Sequence, residues 1–353
     1  MKTSRAKWIG SILFPVASLA VLMVLGFTAE DVHEAWNALL NVSPLWLAAV
    51  AGCWCLYVGA RALALVVYCK FQGCGLKMSG ALYVTLIGLF YSGVTPAATG
   101  GQPMQVYELT KRNVNPSVGT SAVAVETAGF QFLLVILATC FWLPNRNVIA
   151  SSLTVARWVL IVGFALNFVW TVFLILVLIK GAWVAKPVVW IIRMLGRAHL
   201  LPSPERKVES LNRYVADYES ISAELFKRPA LMVSCSLLSG IQVTAYMSMV
   251  YFLYRGFGWS HTSYGVVVGI QMLMYLCASM VPTPGATGAQ EGSFYVFLGR
   301  VFPESSVFPA MLVWRFFTYY LMLIAGAVAL FVGMLNTRRI SGRTDSQMKY
   351  NKV

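Results

Sequence analysis

Apolar residues run through this chain in blocks of about 20 with few interruptions. Six blocks stand out: Trp8–Phe27, Leu45–Cys69, Ser117–Leu143, Trp158–Ile179, Ala230–Tyr254 and Val307–Leu335. A helix needs about 20 apolar residues to cross a hydrocarbon core, so each block is expected to span a membrane. Two further runs are shorter, Met78–Val94 with 17 residues and Val266–Val281 with 16, and both end in a Pro-Gly-rich stretch. Between the first two spans, residues 29–40 set Glu30, Asp31 and Glu34 opposite Val32, Trp36, Leu39 and Leu40. That spacing suits a short helix lying on a membrane surface. The longest polar stretch, residues 180–229, keeps Val188, Val189, Ile192 and Leu195 at helical spacing. It is expected to form amphipathic helices at an interface, not a separate domain.

Composition agrees with the pattern. Hydrophobic residues make up 58% of 353 residues and charged residues 11%, against about 25% charged in a soluble domain. Mean hydropathy is +0.70. This excludes a soluble enzyme and a disordered chain. The run Trp8–Phe27 follows a basic N-terminus, but its 20 residues exceed a usual signal core and no A-x-A site follows, so an uncleaved first span is expected. The seven cysteines lie mostly inside apolar runs, and His33, His199 and His261 stand apart from them. No metal site and no cofactor is expected.

The stretches after the two short runs match each other. Residues 95–107 and 283–295 are identical at seven of thirteen positions under an offset of 188: Thr95/Thr283, Pro96/Pro284, Ala98/Ala286, Thr99/Thr287, Gly100/Gly288, Gln102/Gln290 and Tyr107/Tyr295. The same offset carries into the following span, pairing Ala122 with Ala310 and Val125 with Val313. The chain therefore reads as two related membrane repeats, residues 1–150 and 151–340, with a polar tail at 341–353.

The net charge of +14, from 27 Lys+Arg against 13 Asp+Glu, bears on how the repeats are oriented. If the two short runs are re-entrant, three crossings separate the motifs and the halves are inverted. With a cytoplasmic N-terminus, that model places 21 of the 27 basic residues on the cytoplasmic side, including nine in the 180–229 linker. Arg146, Arg157, Arg255 and Arg300 fall outside, and Arg61 and Arg315 lie within spans. An all-spanning model moves the linker outside, so the positive-inside rule favours the inverted one. The expected fold is thus an all-α polytopic membrane protein with about six spans, two re-entrant half-helix hairpins and an inverted internal repeat. Inverted repeats with broken helices are a recurrent transporter design. Five acidic residues interrupt the basic linker, which argues against nucleic acid as a partner.

Irregular backbone inside a bilayer must be buried or line a wet cavity. Thr95-Pro96 and Thr283-Pro284 end their short helices, and Gly100, Gly101, Gly285 and Gly288 permit the turns. The next helices are expected to begin near Pro103 and Gly292, with free N–H groups able to face an anion such as a phosphate. Gln102 and Gln290 offer matched amides. Glu126 and Arg315 sit mid-span and Glu291 follows the second turn, and intramembrane charges are functional candidates. Glu126 and Arg315 stand one position apart under the repeat offset, so they are expected to face each other, as a site or as a structural ion pair. Arg61, eight residues before the end of its run, is read as snorkelling.

Three motifs in order are familiar. Thr-Pro-x-x-x-Gly-Gly-Gln-Pro at 95–103, Pro-Thr-Pro-Gly-x-x-Gly-x-x-Glu at 282–291 and Trp-Arg-Phe-Phe-Thr-Tyr-Tyr at 314–320 resemble the flippase-like integral membrane family that includes the transmembrane region of lysylphosphatidylglycerol synthase, the multiple-peptide-resistance factor. The resemblance covers nearly the whole chain. It implies movement of an anionic or aminoacylated phospholipid between leaflets of a prokaryotic cell membrane. In bifunctional members a cytosolic domain performs aminoacyl transfer. Here about 18 residues follow the last span, so no synthase activity is expected. Where the family often has Glu-Arg, this chain has Glu126-Thr127, while Arg315 keeps the arginine of the second half. The partners expected are a membrane phospholipid, with room for a homo-oligomer or a separate lipid-synthesising enzyme. Two other functions compete: a membrane subunit or intramembrane enzyme of lipid synthesis, and a small-solute or ion transporter.

Overall fold

A computed structural model describes residues 37, 39–152, 157–198 and 201–350. Every regular element among them is helical, and proline starts several. Pro44, Pro204 and Pro229 occupy first-turn positions of α1 (Pro44–Phe71), α7 (Pro204–Lys227) and α8 (Pro229–Gly256), where the missing N–H costs no bond. Proline ends the first short helix: Thr95, before Pro96, takes extended backbone (φ −108°, ψ 143°), which stops α2 (Met78–Val94) from running on as α-helix. The second, α9 (Tyr264–Ala278), ends earlier than Thr283-Pro284 suggested, in a turn after Ala278, and Thr283 then takes the same extended backbone (φ −95°, ψ 151°) before Pro284. A 3₁₀ turn comes next in each case, Pro96–Ala98 and Pro284–Ala286, and then a ten-residue helix, α3 (Gly101–Thr110) and α10 (Ala289–Leu298). The remaining helices are α4 (Pro116–Ser152), α5 (Arg157–Ile179), α6 (Gly181–Arg197), α11 (Glu304–Arg315) and α12 (Leu321–Tyr350).

Among the described residues, five helical stretches are long and apolar enough to span a membrane: Pro44–Phe71, Pro116–Arg146, Leu160–Ile179, Pro229–Gly256 and Ser305–Leu335. They coincide with five of the six expected spans. The sixth, Trp8–Phe27, lies outside the described residues, as does most of the 29–40 segment, of which residues 37, 39 and 40 are helical. The protein is an all-α, multi-pass membrane protein.

The first and second halves pack as counterparts. Helix α1 lies along α8 over most of its length. The start of α1 meets the end of α8, where Ser43 N–H donates to the Gly256 carbonyl (2.9 Å) and Trp46 stacks on Phe252. The end of α1 meets the start of α8, where Tyr68 and Cys69 share a core with Leu231 and Cys235. These two helices occupy equivalent places in the repeat and run antiparallel, as an inverted repeat requires. The exchange extends outward. Helix α2 packs on α12 of the other half, with Phe90 against Gly326 and Tyr83 against Gly333, and α9 packs on α4, with Phe141 against Tyr264 and Phe130 against Tyr275.

Each short helix and its following ten-residue helix form a hairpin. In the first, Ser92 lies against Gly101, Gly88 against Gln105 and Gly80 against Arg112, so its base sits at one end of the molecule. The base of the second sits at the other end, where Phe302 packs on Tyr254. The two 3₁₀ turns touch each other between them.

The basic residues divide by end. Lys70, Lys77, Lys111 and Arg112 lie at the end of α1 and the base of the first hairpin, whose core includes Leu178 of α5 and Leu225 of α7. Helix α12 passes Tyr83 on its way to the same end. Arg255 and Arg300 lie at the opposite end, near Trp46 and Phe302.

The linker forms the two amphipathic helices expected, α6 and α7, which pack on each other. Helix α7 docks on the core through a buried hydroxyl chain, Tyr68 to Ser121 (2.5 Å) to Ser222 (2.8 Å), and through Tyr214 against Thr120. Helix α5 shows most of its surface outward but is pinned by buried Asn167, which accepts from Gln131 (2.8 Å) and donates to the carbonyls of Gly163 (2.9 Å) and Leu276.

Candidate functional site

The two turns are built alike. In the first, Thr95 Oγ1 donates to the Tyr91 carbonyl (2.6 Å) and accepts from Gly100 N–H (2.9 Å), closing the turn over the end of α2. In the second, Thr283 Oγ1 donates to the Thr287 carbonyl (2.9 Å). Thr99 and Thr287 make the same bond, each hydroxyl donating to the carbonyl of the turn's proline at 3.0 and 2.8 Å. Both turns pass through left-handed backbone, at Ala97 and Ala98 in one and at Gly285 and Ala286 in the other. For alanine that conformation costs roughly 1–2 kcal/mol per residue, so the surrounding contacts must hold the turns in place. Gly101 is required by packing, since a Cβ there would overlap Ser92 Oγ and stand 2.6 Å from the Gly88 carbonyl oxygen.

The helices after the turns begin at Gly101 and Ala289, two to three residues earlier than the sequence pattern suggested. The second is already capped. Glu291 Oε2 accepts from Gly288 N–H (2.7 Å), so the anion at this N-terminus is the protein's own carboxylate and not a free site. The matched glutamines part company. Gln102 is exposed and donates to Thr127 Oγ1 (3.3 Å), whereas Gln290 is buried and its Oε1 has no partner among the described residues.

Glu126 and Arg315 do not pair with each other. Arg315 Nε donates to Glu291 Oε1 (2.6 Å), and its Nη2 donates to the Gly285 carbonyl (3.2 Å) and reaches Thr287 Oγ1 (3.4 Å). The pair is closed from solvent, with side chains 4% and 8% exposed. Arg315 thus joins the last span to both the turn and the cap of the second hairpin. Its neighbour Tyr319 stacks under the guanidinium, with the charge 4.8 Å from the ring centre, and donates across to the Gly93 carbonyl (3.1 Å) at the end of α2. A π-helical turn, Phe316–Tyr320, sets this side chain between the two hairpins. Such turns are frequent at functional positions.

Glu126 is held instead by Arg61. Arg61 Nη2 donates to Glu126 Oε2 (2.9 Å) and Nη1 donates to the Tyr57 hydroxyl (2.7 Å). The snorkelling expected of Arg61 is therefore corrected: the guanidinium turns inward to a buried carboxylate on α4 and to the Tyr57 hydroxyl. The expected Glu126–Arg315 pairing fails because each charge has a nearer partner within its own half. This second pair is less complete. Arg61 Nε and Glu126 Oε1 have no partners among the described residues, and the Arg61 side chain is 19% exposed.

Aromatic rings pack in a row beside the Arg61 pair. Tyr57 lies 5.0 Å from Tyr246, and Tyr246 5.7 Å from Tyr275. The structure thus brings together Thr95, Pro96, Gly100 and Gly101 at one turn and Thr283, Pro284, Gly285, Gly288, Glu291 and Arg315 at the other, with Glu126 set apart beside Arg61. Sequence reasoning underweighted Arg61, missed Tyr57 and Tyr246, and held Tyr319 only as part of the 314–320 motif. The signal for Arg61 was a second arginine inside an apolar run.

A family model described as the lysylphosphatidylglycerol synthase TM region matches residues 8–326. No curated protein matches the chain.

Proposed function

The chain belongs to the lysylphosphatidylglycerol synthase TM region family, and from that premise we propose that it moves an anionic or aminoacylated phospholipid between leaflets. The family match supports a membrane lipid-related role. The observation that carries the finer reading is the incomplete ion pair Arg61–Glu126, buried among spanning helices with one unused donor and one unused acceptor. A guanidinium with a spare N–H suits a phosphate oxygen. The unused carboxylate oxygen suits the ammonium of an aminoacyl group. The closed pair Arg315–Glu291 has a different role: it fixes the second turn and holds Tyr319 against the first hairpin.

In this reading the two hairpins are re-entrant, entering from opposite faces and meeting at their turns. The basic end is cytoplasmic, following the positive-inside rule. The inverted halves rock about the turn contact and expose the Arg61 site to each leaflet in sequence. No catalytic step is assigned to the chain.

The test is leaflet exchange in liposomes. Purified protein should accelerate exchange of labelled phosphatidylglycerol or its aminoacyl ester over empty liposomes, and leave labelled phosphatidylcholine unchanged. Equal rates with and without protein for both acidic and aminoacylated lipids would reject the proposal.

A further inference from the structure

The 180–229 linker holds a feature separate from the central site. Helices α6 and α7 enclose a cleft of about 710 Å³, within the size range of small-molecule sites. Lys186, Arg193 and Arg197 project into it from α6 at helical spacing. Lys186 and Arg197 have no ion-pair partner among the described residues, and Arg193 meets only Glu205, at 3.5 Å with both side chains more than half exposed. The acidic group in the cleft, Glu219, is engaged at the far end, where Oε1 accepts from Ala182 N–H (2.8 Å) and caps the start of α6.

The cleft is amphipathic. Trp190 and Met194 line it beside the cations, and both are exposed, Trp190 at 65%. Trp183, Val188 and Ile191 extend the same uncovered apolar surface along α6. A basic helix with exposed tryptophans and aliphatic residues belongs at the headgroup level of a bilayer. Three cations beside an apolar wall call for a ligand with a negative head and an apolar body. We propose that this cleft binds an anionic phospholipid of the adjacent leaflet, its phosphate among Lys186, Arg193 and Arg197 and its upper acyl region against Trp190 and Met194. The site lies outside the spanning core. Helix α7, its other wall, is bonded to that core through Ser222 and Ser121.

Charge alone attracts basic segments to an anionic leaflet, so the test must separate a site from a field. The full chain in neutral detergent is titrated with phosphatidylglycerol and read by native mass spectrometry. The variant Lys186→Gln/Arg193→Gln/Arg197→Gln should weaken binding of one retained lipid at least tenfold. The control Arg206→Gln/Lys207→Gln/Arg213→Gln removes the same charge outside the cleft and should change it less than twofold. Ala216→Trp, which fills the cleft from α7 and keeps every charge, should also weaken retention at least tenfold. Equal losses in the two charge variants, or full retention in Ala216→Trp, would overturn the site. Phosphatidylcholine should be retained at least tenfold less well than phosphatidylglycerol. Glycerol phosphate binding as tightly as the lipid would show a soluble-anion site and overturn the lipid assignment.

Discussion

The two halves solve one problem in different ways. Each keeps an arginine inside the membrane by pairing it with a glutamate. In the second half the pair is local to the motif. Arg315 reaches Glu291, 24 positions away, together with the turn's own carbonyl, and the pair is sealed. In the first half Thr127 stands where the repeat offset places Arg315, and the guanidinium comes from another helix, as Arg61 of α1. That pair leaves a buried donor and a buried acceptor unused, with the Arg61 side chain 19% exposed and Glu126 closed. A symmetric fold thus carries an asymmetric centre. The sealed pair joins the last span to the second hairpin, and the incomplete pair is the one to which the proposed function assigns the headgroup.

The comparison is broken most severely at the sealed pair. Arg315→Gln leaves Glu291 buried without its counter-charge, a loss on the order of 3–5 kcal/mol. The thermal midpoint in detergent should fall steeply, and lipid exchange should vanish with it. A midpoint close to that of the unchanged protein would mean that the pair does not hold the second hairpin.

The hairpins themselves come next. Gly101 corresponds to Ala289 under the repeat offset, so only the first hairpin requires glycine at this position. Gly101→Ala should cost about 1–3 kcal/mol through overpacking against α2, whereas Ala289→Gly should cost less than about 1 kcal/mol, near the helix-propensity difference alone. Equal costs in chemical denaturation would show that the turns are packed alike.

The smallest effect is expected at the bridge between the halves. Tyr319→Phe removes the hydrogen bond to the Gly93 carbonyl, worth about 1 kcal/mol, and keeps the ring under Arg315. Exchange should fall a few-fold with little change in midpoint. Unchanged exchange would show that the contact between hairpins does not contribute to movement.

Much of the architecture was legible because a bilayer imposes a simple code. Twenty-residue apolar runs marked the spans, and the repeated Thr-Pro and glycine positions located both turns. The antiparallel pairing of α1 and α8 agrees with the charge asymmetry of the loops. The pairing of charges was not legible. Arg61 and Glu126 are 65 positions apart, and they meet through the packing of α1 on α4, which no local pattern records. The offset invited Glu126 to Arg315 because it relates positions in sequence, while the pairs form within each half. The helix starts at Gly101 and Ala289 came earlier than expected because the threonine hydroxyls and the Glu291 cap close the turns more tightly than Pro103 and Gly292 suggested. The π-helical turn at Phe316–Tyr320 left no mark on the apolar pattern, so Tyr319 was not singled out.

The central claim, that the incomplete pair holds the lipid headgroup, is tested most directly by the variant Arg61→Gln/Glu126→Gln. Both charges leave together, so no uncompensated ion remains and stability should stay within about 1 kcal/mol of the unchanged protein. With protein reconstituted at equal density, exchange of labelled phosphatidylglycerol should fall at least tenfold. Exchange at the original rate by a folded double variant would contradict the account.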